Sequence, residues 1–71
     1  MKFSHGKIEF DQYEIRFLID TSDDSDGSWI TLSDKETDGF WSMDYEDPQV
    51  IMPTITMLMY SETMREEFKN A

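Results

Sequence analysis

Between Tyr13 and Ile19 apolar and polar residues alternate. Tyr13, Ile15, Phe17 and Ile19 share one parity; Glu14, Arg16 and Asp20 take the other. A period of two is that of a half-buried strand. Lys7–Phe10 is a shorter strand candidate with Ile8 and Phe10 on one face. The parity flips across Asp11-Gln12, and a two-residue turn or a bulge would each explain the flip. Residues 21–27, Thr-Ser-Asp-Asp-Ser-Asp-Gly, have loop chemistry, since Asp and Ser bond their own backbone and Gly accepts positive φ. Ser28–Ser33 then carries Trp29-Ile30-Thr31-Leu32, aromatic and β-branched enough for a strand. Asp38-Gly39 is the strongest hairpin signal in the chain. Phe40–Tyr45 returns from it with Trp41, Met43 and Tyr45 on one face and Ser42 and Asp44 on the other. The pattern predicts an antiparallel sheet of three to four strands over residues 3–46, ended by Asp47-Pro48 because Pro offers no ladder donor.

After Pro53 the period lengthens. Met57, Tyr60, Met64 and Phe68 are spaced as one stripe of a helix over about 54–70. Glu62 precedes Arg65 and Lys69, an order that suits the helix dipole. Thr54–Tyr60 also fits a strand, which would leave only Ser61–Asn70 helical. The fold class expected is therefore α+β: a small antiparallel sheet followed by one C-terminal helix.

At 71 residues the chain has room for one domain, with a thin core. It holds no cysteine, so disulfides and thiolate metal sites are excluded. Ten aromatic residues, two Trp, three Tyr and five Phe, argue for folding over disorder. Met1-Lys2 runs into the polar Ser4-His5-Gly6-Lys7, which predicts no leader peptide. Val50–Tyr60, the most apolar stretch, is about half the ~20 residues of a membrane span. A cytoplasmic protein without a membrane partner is the expectation.

Charge changes the picture more. Sixteen acidic residues against six basic ones give −10, and the excess is not spread evenly. Residues 20–47 hold Asp20, Asp23, Asp24, Asp26, Asp34, Glu36, Asp38, Asp44, Glu46 and Asp47 against Lys35 alone, leaving the rest of the chain near neutrality. Acidity serving only solubility would be dispersed.

Several chemistries fail on the residues present. Aligning Gly27 to the sixth position of a calcium loop sets Asp24 and Asp26 correctly, but Ser22 and Ser33 then occupy positions that need carboxylates. No cofactor and no dedicated metal site are expected, and a divalent-ion-binding module using Asp20 to Asp26 stands as a third reading. His5 is the single histidine, and Gly6, Gly27 and Gly39 are isolated. Neither a nucleophile–base pair nor a phosphate-cradling loop can be assembled, so no catalytic residue is assigned. Direct nucleic-acid binding requires a Lys/Arg patch that six scattered basic residues cannot form.

Imitation of nucleic acid inverts that physics. Alternate residues on a strand are about 6.6 Å apart, and Asp34, Glu36 and Asp38, then Asp44 and Glu46, have that spacing, with Asp47 next in the chain as a further candidate contact. Two rows joined at Asp38-Gly39 would form a ridge of carboxylates, steered by long-range attraction into the basic site of a nucleic-acid-binding protein. The role expected is an inhibitor of that kind, the type to which viral counter-defence proteins often belong. Phe40 and Trp41 point to opposite faces of a strand, so one of them is exposed and is a candidate hydrophobic anchor. The alternative is a protein–protein interaction or regulatory module that docks by its Met-rich helix. Residues 55–60 are apolar nearly all round, and one sheet covers only one face. Ile55, Leu58 and Met59 are thus expected as a spare face for a homodimer or a partner.

Overall fold

The computed structural model describes residues 3–21 and 27–71. Four strands, β1 (Phe3–Phe10), β2 (Tyr13–Asp20), β3 (Ser28–Asp34) and β4 (Gly39–Tyr45), form one antiparallel sheet in the order β1-β2-β3-β4. A 3₁₀ turn (Pro48–Val50) leads into α1 (Ile51–Tyr60) and α2 (Glu62–Lys69). The α+β class with a small antiparallel sheet is as the sequence predicts. Two helices replace the single helix expected.

The parity flip at Asp11-Gln12 is a two-residue turn. Phe10 pairs with Tyr13, so both side chains share a face, and Asp11 takes φ 51°, a conformation Asp tolerates better than most residues. β1 begins four residues earlier than its apolar residues indicate, because Ser4-His5-Gly6 pairs with Phe17-Leu18-Ile19 through backbone. Gly6 has a local reason. A β-carbon there would come within 2.8 Å of the Phe17 ring.

The second hairpin departs from expectation at its turn. Gly39 is not a central turn residue but the first residue of β4, paired with Asp34. The connection is Lys35–Asp38, and Asp38 carries the positive φ of 60°. Glycine at 39 is required for a different reason, since a β-carbon would collide with the indole of Trp41.

Register places Ile15, Leu32 and Trp41 in one cross-strand row and Phe17, Ile30 and Met43 in the next. Both rows face the helices. The buried core joins Ile15, Ile30 and Leu32 of the sheet to Ile51, Ile55 and Leu58 of α1 and to Phe68 of α2. The stripe that α1 buries is therefore Ile51, Ile55 and Leu58, spaced i, i+4, i+7.

The helical segment breaks at Ser61, which is extended at φ −131°, ψ 114°. Its hydroxyl accepts from the Met64 N–H at 3.2 Å, an N-cap with Glu62 in the first turn behind it. Arg65 closes the corner by donating from Nη1 to the carbonyls of Leu58 (2.8 Å) and Met59 (3.4 Å), which the end of α1 leaves unpaired. Its guanidinium also lies over the Tyr13 ring at 5.1 Å. The break shifts the phase of the predicted stripe. Phe68 is buried and Met64 half-buried, while Met57 and Tyr60 are exposed. Pro53 does not mark a boundary either: it lies in the first turn of α1, where a missing N–H costs little. No helix among the described residues is long and apolar enough to cross a membrane.

Candidate functional site

The block from Asp34 to Asp47 spans the β3–β4 hairpin and the turn beyond it, and its carboxylates have different local duties. Asp34 ends β3 with its side chain under the turn, only 4% exposed. Its Oδ1 accepts from the Glu36 N–H at 2.9 Å and the Thr37 N–H at 3.3 Å. Burial raises its pKa, but those two bonds, helped by the side chains of Gln12 and Thr37, hold it below the ordinary aspartate value. Glu36 and Asp38 lie in the turn, not on a strand. The expected row of Asp34, Glu36 and Asp38 is therefore not formed, because β3 stops at Asp34 and the chain reverses before Gly39.

At the far end Asp44 lies on β4, and Glu46 and Asp47 follow it, all three exposed. Asp47 caps the 3₁₀ turn by accepting from the Gln49 N–H at 2.9 Å. The exposed acids thus form two groups about 20 Å apart, six residue steps along β4. One is the turn Glu36–Asp38, the other Asp44–Asp47. They do not form a continuous ridge.

Three of the chain's own cations are engaged elsewhere. Among the described residues Arg16 pairs with Glu14 at 2.9 Å, Lys35 with Glu9 at 3.5 Å and Lys69 with Glu66 at 3.0 Å. Also among the described residues, no cation pairs with Glu36, Asp38, Asp44, Glu46 or Asp47. Asp20 is half-buried at the end of β2; the other aspartates of the candidate calcium loop, Asp23, Asp24 and Asp26, lie outside the described residues. Among the described residues no group of three or more His, Asp or Glu side chains could hold a metal ion.

Of the adjacent aromatic pair, Phe40 is the exposed one, at 64%. It stands on the open face of the sheet, opposite Ser33. Trp41 packs against the core with Lys69 Nζ 5.0 Å from its ring. Trp29 is half-buried on the open face between Leu18 and Asp44.

The spare face is not where the sequence puts it. Ile55 and Leu58 are fully buried and Met59 is half-buried against the core. Those three positions fill the space over β2 and β3. The outward arc of α1 is instead formed by Met52, Pro53, Met57 and Tyr60, all exposed, with Tyr60 at 82%. α1 contains no Asp, Glu, Lys or Arg. That absence is visible in the sequence, but the direction of the buried stripe is fixed only once the break at Ser61 is recognised. Between α1, α2 and β4 lies a cavity of 170 Å³ lined by Met43, Tyr45, Thr54, Leu58, Met64, Glu67 and Phe68, in which Glu67 is the single charge. Sequence reasoning missed it, because it arises from the angle between two helices that were read as one. Comparison with family models, with curated proteins and with solved structures finds no match.

Proposed function

We propose that the protein acts by binding: it is an acidic module that occupies the basic site of a nucleic-acid-binding protein and so keeps nucleic acid out. One observation carries this reading. Among the described residues the exposed carboxylates of the β3–β4 hairpin have no cation of their own, although three of the chain's cations pair with glutamates elsewhere. Leaving like charges uncompensated opposes compaction, and a basic partner removes that cost on binding. The excess charge is also concentrated, with ten acids against Lys35 alone in residues 20–47. Phe40, flanked by the two acidic groups, is the hydrophobic anchor of this surface.

The test is displacement. A labelled single-stranded oligonucleotide is bound to a set of basic oligonucleotide-binding proteins, and the chain is titrated in at low and at high salt. Displacement should weaken steeply as salt rises. It should drop on the order of a hundredfold when Glu36, Asp38, Asp44 and Glu46 are all changed to Lys. Displacement indifferent to both would end the proposal.

A second reading has its own observation, the uncharged outward face of α1. In it the protein is a regulatory module that docks Met52, Met57 and Tyr60 on a partner or on a second copy. Met57→Glu with Tyr60→Glu would abolish such docking and leave salt-dependent displacement unchanged.

A further inference from the structure

We propose that the free edge of β4 takes up an extended segment of a basic partner as a fifth strand. Apolar side chains of that segment would face Met43 and Tyr45, and the intervening Lys or Arg would face Asp44. The inference rests on the acidic-binder reading and specifies which part of the partner is held.

The sheet has two edges, and they differ. β1 carries Lys7 near its centre, a common means of discouraging further strands. β4 reads Gly39-Phe40-Trp41-Ser42-Met43-Asp44-Tyr45. It has no Lys and no Pro, and its seven residues pair with β3 in unbroken register without a bulge. Among the described residues, none from Phe40 to Asp44 makes a backbone hydrogen bond outside that ladder. Half of the strand's backbone donors and acceptors therefore point outward, as at any sheet edge. A segment added there gains main-chain bonds whatever its sequence, and pockets on either side select its side chains.

Both sides of β4 do select. On the helix side Met43 and Tyr45 wall the 170 Å³ cavity, and because the sheet ends at β4 no further strand closes it off. Alternate residues of an incoming strand would lie beside this apolar space. On the open side Asp44 lacks an ion-pair partner among the described residues, and Glu46 follows at the strand end. The matching segment thus alternates apolar with cationic residues. Charge also opposes the obvious competitor: a second copy would bring another −10 to the same edge and set like charges near one another.

The probe is a synthetic eight-residue peptide of alternating Lys and Val, with a second peptide whose edge-facing amides are N-methylated. Amide hydrogen exchange followed residue by residue should show new protection in β4 and none in β1. The N-methylated peptide should bind at least about tenfold more weakly, as expected if main-chain bonds give the affinity. Asp44→Lys should weaken the unmodified peptide about fivefold. Equal binding of the two peptides, no binding, or protection away from β4 would overturn the inference. So would a light-scattering mass of two chains with β4 already protected, which would assign the edge to a second copy. Oligonucleotide displacement that persists while β4 stays unprotected would sink the edge and leave the acidic-binder reading standing. β4 protection by the peptide without any displacement would do the reverse.

Discussion

The two hairpins share an architecture and differ in how they treat charge. In β1–β2 the acidic side chains Glu9 and Glu14 each meet a cation, Lys35 and Arg16. In β3–β4 the only cation, Lys35, leans away to Glu9 on the other hairpin, and the acids either shape turns, as Asp34 and Asp47 do, or face water alone. The second hairpin nevertheless supplies two of the sheet's three fully buried side chains, Ile30 and Leu32 on β3, while the first supplies Ile15 on β2 and none from β1 among those described. A strand can therefore anchor the fold with one face and carry uncompensated charge next to it, provided burial is decided on the helix side. The half of the molecule that gives the sheet two of its three fully buried side chains is also the half whose exposed acids lack a cation among the described residues.

The largest effect expected is on that anchoring. Leu32→Ala removes a fully buried side chain and should cost about 2–5 kcal/mol, enough to unfold much of a small domain. Ile8→Ala on β1, half-buried and at the sheet edge, should cost about 1 kcal/mol. Urea unfolding of both variants checks the contrast. Equal losses would mean that the two hairpins share the core evenly.

How far the sequence revealed this division follows from the physics of each element. Strands were legible from their period of two, and Ile15, Ile30 and Leu32 fall where alternation puts them. The excess of charge in residues 20–47 was plain too, since composition needs no geometry. The end of β3 was legible to within one residue, Ser33 against Asp34, but the row Asp34, Glu36 and Asp38 assumed a strand beyond it. Asp34-Lys35-Glu36 continues the spacing of a strand, but the Asp34 side chain captures two backbone N–H groups and turns the chain instead. The helix break was partly legible: Ser61-Glu62 is a cap signal inside a pattern that otherwise reads straight through. Missing it moved Ile55 and Leu58 from the core to an imagined outer face. The β4 edge and its cavity depend on tertiary packing, and no local pattern announces them.

A smaller effect sharpens the electrostatic side of the comparison. Asp34 is the one acid of the second hairpin that the sheet itself buries. Asp34→Asn keeps the shape but weakens the two turn bonds, and the melting midpoint at neutral pH should fall by about 5 °C. The pH dependence has a definite sign. The pKa of Asp34 is lower in the folded chain than in the unfolded one, so its contribution is complete above the ordinary aspartate range and is lost as pH falls through the folded value. The difference between parent and variant should accordingly shrink below about pH 4. A difference that persists unchanged into acid would show that the turn does not depend on the ionised carboxylate. Asp44 supplies the control. It is exposed on β4, and Asp44→Asn removes only an uncompensated charge, so it should not lower the midpoint.

The smallest effect separates stability from binding. Lys35 and Glu9 meet at 3.5 Å with half of each side chain in water, and such a pair contributes about 0.5 kcal/mol or less. The backbone link between the hairpins, Lys35 N–H to the Gln12 carbonyl at 2.7 Å, does not involve the side chain and survives its removal. Lys35→Ala should thus barely change urea unfolding, although it removes the last cation of the second hairpin. Oligonucleotide displacement at low salt should then improve about twofold, with the gain disappearing at high salt as exposed charges are screened. If displacement is unchanged or worse, the bareness of the second hairpin is not what the partner reads, and the contrast between the hairpins belongs to folding alone.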